Sequence, residues 1–207
     1  METTIIGLLI VVLIISAFFN AITWSFNWIA VAVLAIIWVI LLYNRFVRLV
    51  NQAKESWADI QVQLKRRYDL IPNLVEAVKG YAAHESNAFE NVTKARANAI
   101  GATGTAEKAQ AENQLTGALK TLFAVSEAYP DLKANQNFLQ LQKELGDTED
   151  KIQASRRFYN TTVMALNTAE QSFPGNIIAS TFRFKQMDLF ELSASDAAAA
   201  EPVKVQF

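Results

Sequence analysis

The sequence has 207 residues, of which 52% are hydrophobic and 19% are charged, and its formal net charge is −1. This balance argues against a general nucleic-acid binder, which needs a surplus of Lys and Arg to displace counterions. The sequence contains no Cys and a single His, His84, so disulfides, thiolate metal sites, Cys nucleophiles and multi-histidine metal sites are excluded.

Charge is distributed unevenly along the chain. Residues 1–44 carry one charged side chain, Glu2, whereas all 19 Lys and Arg residues lie from Arg45 onward. A long apolar stretch without charge is typical of a membrane segment. We therefore predict a membrane anchor over residues 1–44, a helical bundle over 45–190 and a disordered, Ser/Ala-rich tail over 191–207.

The apolar stretch is too long for one straight span. As a single helix it would measure roughly 58 Å, against a hydrocarbon core of about 30 Å. Polar residues interrupt it near its middle, and Trp24 and Trp28 lie beside this break, as aromatic residues do at a membrane interface. The pattern predicts two transmembrane helices, near 4–22 and 25–44. A re-entrant hairpin and a cleaved signal peptide are the alternatives for the first segment.

The end of the second span has its own interface residues. Tyr43, Arg45 and Arg48 follow one another closely there, and we expect them at the membrane surface. Positively charged flanks stay on the cytoplasmic side of a membrane, which predicts that the bundle faces the cytoplasm from a bacterial inner membrane. With two spans, the N-terminus lies on the same side.

Beyond the anchor, apolar residues recur every three or four positions, which is typical of helices that bury one face. The pattern predicts long helices over about 44–82, continuous with the second span, and 106–128, with a shorter helix around 89–99 and a last long helix that stops at Phe173. Pro72 lies inside the first of these, where we expect a helix kink because proline has no backbone N–H.

The connections complete the predicted fold. Pro130 is expected to end the third helix, and Asp131 is a candidate N-cap for the fourth. Alternating apolar residues from Phe182 to Phe190 indicate an extended segment laid over the bundle. The predicted fold class is all-α: an N-terminal transmembrane helical hairpin, then an antiparallel bundle of about four long helices and an extended C-terminal segment.

One charged residue interrupts an apolar stripe. Arg67 lies between Leu64 and Ile71 on the side of the helix predicted to be buried. A buried guanidinium needs an acid to offset its desolvation, and Glu149, beside Ile152 on the last long helix, is the predicted partner. We interpret this pair as fixing the register of two helices. Phosphate binding by the Lys65–Arg67 run is the alternative.

Other polar groups give weaker indications of a functional site. His84-Glu85 is interpreted as a turn or cap, since half of a metal or acid–base site has no second half here. Arg156-Arg157 could form an anion-binding site with Lys133, although a solvated helix face is the simpler interpretation. No nucleophile, base and oxyanion hole are recognisable together, so we predict no catalytic residues, no cofactor and no metal.

Three stretches carry a family resemblance. They cover Trp57–Tyr81, which contains KRRYDLIPNLVEAVKGY and is followed by His84-Glu85, then 130–160, and FPGNIIA at 173–179. In this order, over about residues 44–190, they resemble the LemA family of bacterial membrane-anchored helical proteins. The resemblance implies an α-helical bundle on a membrane anchor, and it implies no activity. Members of the family usually have one anchor, whereas two spans are predicted here.

These features predict a non-enzymatic membrane protein. The leading hypothesis is a self-assembling scaffold, because long apolar stripes can continue packing between copies as coiled coils do, and a shared bilayer raises the effective concentration of subunits. Its predicted partners are the lipid bilayer and copies of itself, with no nucleic acid. The alternative is an adaptor or regulatory subunit for another membrane protein, such as a membrane protease, recruited by residues 203–207 of the tail.

Overall fold

The protein is described by a computed structural model that covers residues 2–19 and 24–190, with side chains for residues 4–16 and 27–190. Regular secondary structure in this part of the chain is entirely helical, which confirms the predicted all-α class. The helices are α1 (Glu2–Phe19), α2 (Trp24–Lys79), α3 (Ser86–Gly101), α4 (Thr105–Glu127), α5 (Pro130–Lys133), α6 (Gln136–Gln171) and α7 (Gly175–Phe182).

The membrane-like part of the chain is helical. Among the described residues, one helix is long and apolar enough to cross a membrane, over Asn27–Lys79, and a shorter apolar helix covers Thr4–Ser16. The second of the predicted spans is therefore the first part of α2. The break between the two predicted spans, at 20–23, lies outside the described residues, and the two-span hairpin stays a prediction.

Two details around the last long helix differ from the prediction. Pro130 begins the short helix α5 instead of only ending α4, since a proline at the first helical position loses no hydrogen bond. Asp131 lies within α5, so it is not the N-cap of α6. Asn135 caps α6 instead, because its Oδ1 accepts the backbone N–H groups of Asn137 at 2.9 Å and Phe138 at 3.2 Å.

Helix α7 was not predicted. Phe173-Pro174-Gly175 stops α6 as expected, but the chain then makes two further helical turns. Gly175 permits this, because a Cβ at that position would collide with the backbone carbonyl of Ala169 on α6. The predicted extended segment follows α7, and residues 184–190 have no helix.

The described residues form two compact units. Unit 1 contains the described residues up to Ala53 together with Thr162–Met187, and unit 2 contains Lys54–Thr161 together with 188–190. The core of unit 1 buries six side chains of α2, α6 and α7: Leu42, Phe46, Leu166, Ala169, Ile178 and Ala179. The predicted tail, residues 191–207, lies outside the described residues.

Unit 2 buries the apolar stripes that the sequence predicted on α2, α3, α4 and α6. Its fully buried side chains include Ile60, Leu64, Ile71, Leu74, Val92, Leu115, Leu122, Phe138, Ile152 and Tyr159. At one end, Trp57 packs against the rings of Tyr159 and Phe190, with centroids 5.4 Å apart in both pairs. Each of these helices thus buries apolar side chains in unit 2.

The extended segment is held through its backbone. In unit 2, Asn160 donates to the carbonyl of Phe190 at 3.1 Å and accepts the N–H of the same residue at 2.8 Å. In unit 1, Asn167 makes the same two bonds with Met187, at 2.9 and 3.0 Å. Each side-chain amide therefore pairs with the backbone as a neighbouring β-strand would.

Helix α2 runs on through Pro72. A helical residue in this position would donate its N–H to the carbonyl of Tyr68, and proline has none. The Nε–H of Arg96, on α3, donates to this carbonyl at 2.8 Å. A side chain of a neighbouring helix therefore takes over the bond that Pro72 removes, which fixes α3 against α2.

Candidate functional site

A cluster of charged side chains lies in the interior of unit 2. Arg67 on α2 and Glu112 on α4 are each 4% exposed. Arg67 Nη1 lies 3.1 Å from Glu149 Oε2 on α6 and 3.5 Å from Glu112 Oε2, and its Nη2 donates to Thr116 Oγ1 at 2.7 Å. One guanidinium thus binds side chains of two other helices, α4 and α6.

The cluster extends to Tyr68, the next residue on α2. Its hydroxyl donates a hydrogen bond to Glu112 Oε1. Burial raises the pKa of Tyr68, and the hydrogen bond to Glu112 adds to this, so the phenol stays protonated and remains a donor. Lys108 lies near the ring of Tyr68, and its Nζ donates a hydrogen bond to the carbonyl of Ala99 at 2.6 Å.

Glu112 carries the least compensated charge of the cluster. Burial raises the pKa of its carboxyl group, and the hydrogen bond from Tyr68 and the charges of Arg67 and Lys108 act against this. Its Oε2 is buried and accepts no hydrogen bond, since the 3.5 Å approach of Arg67 is a charge contact without hydrogen-bond geometry. Burial therefore disfavours the charged form of this carboxyl group, and its neighbours offset this only in part.

The positions of these residues follow from helix periodicity. Arg67 lies seven residues after Ile60 and four before Ile71, both fully buried, so it shares their side of α2. Glu112 occupies the same place on α4, three residues before buried Leu115. Two apolar stripes therefore bring one cation and one acid into the same interior layer.

Beside this cluster, unit 2 has a cavity of about 700 Å³. Its walls are partly apolar, with Leu119, Phe123 and Leu145, and partly charged, with Arg67, Lys120, Glu149, Arg156 and Arg157. The cationic side chains outnumber the single acid. Glu149, whose side chain is 32% exposed, connects the buried cluster to this cavity.

The structure brings Arg67 and Glu149 together, and Arg156 and Arg157 line the cavity, but Lys133 is not among its lining residues. His84 and Glu85 lie in the connection between α2 and α3. The interface residues Trp28, Tyr43, Arg45 and Arg48 lie on α2, where Trp28 is 49% and Tyr43 38% exposed. The side chain of Trp24 lies outside the described residues.

Glu112 and Thr116 belong to the cluster but were not predicted from the sequence. A signal for Glu112 was available, since it continues the stripe of Leu115, Leu119 and Leu122 toward the start of α4. Thr116 gave none, because a threonine beside an apolar stripe is common on any helix. Among the described side chains, no group of three His, Asp or Glu residues is arranged to hold a metal ion.

A model of the LemA family matches residues 56–207. The chain belongs to the LemA family. This agrees with the resemblance seen in the sequence, and the matched region includes Arg67, Glu112 and Glu149. The membership carries no statement about catalysis, because the family's name describes no reaction.

Relatives of this LemA-family chain have two kinds of names. A protein named Protein LemA from Metamycoplasma hominis is 28% identical over 166 residues, covering 78% of this chain and 72% of that protein. The magnetosome protein MamQ of Magnetospirillum gryphiswaldense is 27% identical over 187 residues, covering 77% of this chain and 69% of its own length. Magnetosome protein MamQ 2 of Paramagnetospirillum magneticum is 25% identical, over 72% of this chain and 64% of its own.

The ionic cluster is suited to holding helices together. Its cation is bound by two acids and a hydroxyl group of the same chain, and its phenol by one of those acids. A group that is to attack or bind a substrate needs an accessible reactive atom. Because Arg67 has little accessible surface, the geometry of the cluster favours a structural role. The accessible part of the site is the adjoining cavity.

Proposed function

We propose that this LemA-family protein is a non-enzymatic, membrane-anchored helical scaffold that assembles with copies of itself. Its anchor is a pair of transmembrane helices in a bacterial inner membrane, and its bundle faces the cytoplasm. The lipid bilayer and further copies of the chain are its partners in this role. The adaptor role of the tail stays a prediction, since that segment lies outside the described residues.

The observation that carries the proposal is the composition of α2. This single helix of 56 residues begins in an apolar stretch without charge and continues, from Arg45 onward, as a charged helix of the bundle. Its 56 residues are far more than the roughly 20 that cross a bilayer. One helix therefore carries both the apolar stretch and part of the charged bundle, as a membrane-anchored scaffold requires.

Two further observations support the proposal. The Arg67 cluster joins side chains of α2, α4 and α6 in the interior of unit 2, as a structural bundle needs. Relatives in two bacteria are named as magnetosome proteins, which is consistent with a protein that is not an enzyme.

Self-assembly is tested by crosslinking the full-length protein in intact membranes with a lysine-reactive reagent. A ladder of discrete oligomers is expected, and it should persist when the protein is diluted with excess lipid. A monomer at every protein-to-lipid ratio would contradict the scaffold. Random collision is distinguished from assembly by the dilution, because collisional products disappear as the lipid is increased.

Topology is tested independently with reporters that are active on one side of the membrane only. One reporter is fused before Met1 and another after Phe207. Two spans predict that both reporters are on the cytoplasmic side. Reporters on opposite sides would refute the two-span anchor while leaving the bundle and its assembly untouched.

A further inference from the structure

Helix α7 exposes apolar side chains although it belongs to a charged part of the sequence. Ile177 is 54% and Phe182 47% exposed, and Phe173, just before the helix, is 80% exposed. The helix itself, GNIIASTF, contains no charged residue. We call Phe173, Ile177 and Phe182 the α7 patch. Several large apolar side chains exposed within so short a segment indicate a surface that contacts another molecule and not water.

The hydroxyl groups of α7 donate to the backbone of their own helix. The hydroxyl groups of Ser180 and Thr181 both donate to the carbonyl of Ile177, at 2.9 and 2.7 Å. Just before the patch, Ser172 donates to the carbonyl of Thr168 at 2.6 Å. Polar groups that are paired in this way lose little when they leave water, whereas unpaired ones make such a transfer costly.

Within unit 1, α7 lies where the apolar part of α2 ends. It buries Ile178 and Ala179 in the core with Leu42 and Phe46, and at its end the ring of Phe182 packs on Tyr43 with centroids 4.9 Å apart. Tyr43 is the last aromatic residue before the charged part of α2 begins. The patch therefore adjoins the level at which a bilayer around α2 would meet water.

Phe173 also lies near the end of the apolar part of α2. It lines a cavity of about 600 Å³ in unit 1 together with Trp38 and Leu42 of α2. Arg45 also lines this cavity. Phe173 is thus beside the last two turns of the apolar stretch and close to its first basic residue.

The charges of unit 1 have one dominant sign. Its described side chains include four basic residues, Arg45, Arg48, Arg183 and Lys185, all of them exposed. The single acid among these described side chains is Glu170, which binds Gln186 at 2.7 Å. Of the basic residues, Arg45 lines the cavity beside Phe173 and Arg183 directly follows Phe182, and basic side chains next to an apolar patch complement the anionic surface of a bacterial membrane.

We propose that the α7 patch is an interfacial membrane contact. Phe173, Ile177 and Phe182 enter the headgroup region of the same bilayer that α2 crosses, and the surrounding basic residues bind anionic lipid headgroups. Interfacial helices typically bury their apolar side about 5–10 Å into this region. The inference rests on the proposed membrane anchor, to which it adds a second, peripheral attachment.

The test uses single-cysteine variants of the full-length chain, which contains no natural Cys. Ile177→Cys reports on the α7 patch, and Ile36→Cys, at a position 60% exposed in the apolar stretch, reports on the anchor. Ala97→Cys, on the exposed side of α3, is the control. Each variant carries an environment-sensitive fluorophore and is reconstituted in phosphatidylcholine–phosphatidylglycerol vesicles, where circular dichroism checks the helix content.

The vesicles contain lipids with a nitroxide quencher either near the headgroup or deep in the acyl chain. The label at position 177 should lose fluorescence mainly to the shallow quencher, and the label at 36 mainly to the deep one. The label at 97 should keep its fluorescence with both. Vesicles of phosphatidylcholine alone should give weaker quenching at 177 and unchanged quenching at 36.

The two proposals fail in different ways. Quenching at 36 without quenching at 177 overturns the interfacial contact and leaves the anchor standing. Quenching at neither position overturns the anchor as well. Shielding of position 177 from a water-soluble quencher, without lipid quenching and only at high protein-to-lipid ratios, would assign the patch to a contact between copies and also overturn the proposal.

Discussion

Replacing Arg67 by Ala should cost the protein a large part of its stability. The variant leaves Glu112, whose side chain is 5% exposed, without the cation that faces it. Breaking a buried ion pair from one side typically costs about 3–5 kcal/mol. In a chain of this size, that corresponds to a fall in Tm on the order of 6–20 °C. Thermal unfolding of the full-length protein in mild detergent, followed by circular dichroism, measures the change.

The same measurement on Glu149→Ala separates the two acids. Glu149 is partly exposed, and Arg67 keeps Glu112 and Thr116 without it, so the loss should be only about 1 kcal/mol. The double variant should lose less than the sum of the two by at least about 0.5 kcal/mol, because both changes remove the same contact. Arg66→Ala, an exposed neighbour, is the control and should stay within about 0.5 kcal/mol. Additive losses, or an Arg67→Ala variant no less stable than this control, would show that Arg67 and Glu149 do not form a stabilising pair.

Three further predictions concern single contacts. Arg96→Met leaves the carbonyl of Tyr68, which Pro72 cannot bind, without a hydrogen bond, and this should lower the free energy of unfolding by about 1–3 kcal/mol. In a Pro72→Ala background the restored backbone N–H should reduce this loss. An equal loss in both backgrounds would contradict the role of Arg96. Asn160→Ala should release the extended segment, seen as faster hydrogen exchange at the amide of Phe190, and unchanged exchange would count against the pairing. Because burial raises the pKa of Glu112 above 4.5, its native carboxyl group binds a proton more tightly than the unfolded one, so its contribution to stability falls as the pH rises above 4.5. Glu112→Gln should therefore gain stability relative to the natural chain from this pH toward neutrality, and a constant difference across this range would contradict it.

Periodicity explains what the sequence could predict. A stripe of apolar residues determines which side of a helix is buried, so a charged residue on the stripe, such as Arg67, can be recognised as buried without a structure. The same reasoning indicated Glu149 as an acid near the buried face of another helix. The long helices, their loops and the extended segment follow from the same pattern and from the prolines and glycines between them.

The remaining features depend on contacts between distant residues. Arg96 looks like any exposed arginine in the sequence, and its bond to α2 exists only because Pro72 leaves a carbonyl unpaired on the facing helix. Helix α7 is short and rich in β-branched and aromatic residues, which do not favour helix formation. It is helical because Ile178 and Ala179 pack into the core of unit 1, and such packing cannot be read from a local pattern.

The paired amides of Asn160 and Asn167 bear on how this chain avoids misassembly. A backbone that is extended and unpaired acts as an open strand edge, to which another chain can add and begin an aggregate. The segment around Met187 and Phe190 has both the extended backbone and the apolar side chains that make such an edge prone to aggregation. By binding the N–H and carbonyl groups of these two residues, the asparagines close the edge from within the molecule. An all-helical protein can therefore carry a strand-like segment without offering it to its neighbours.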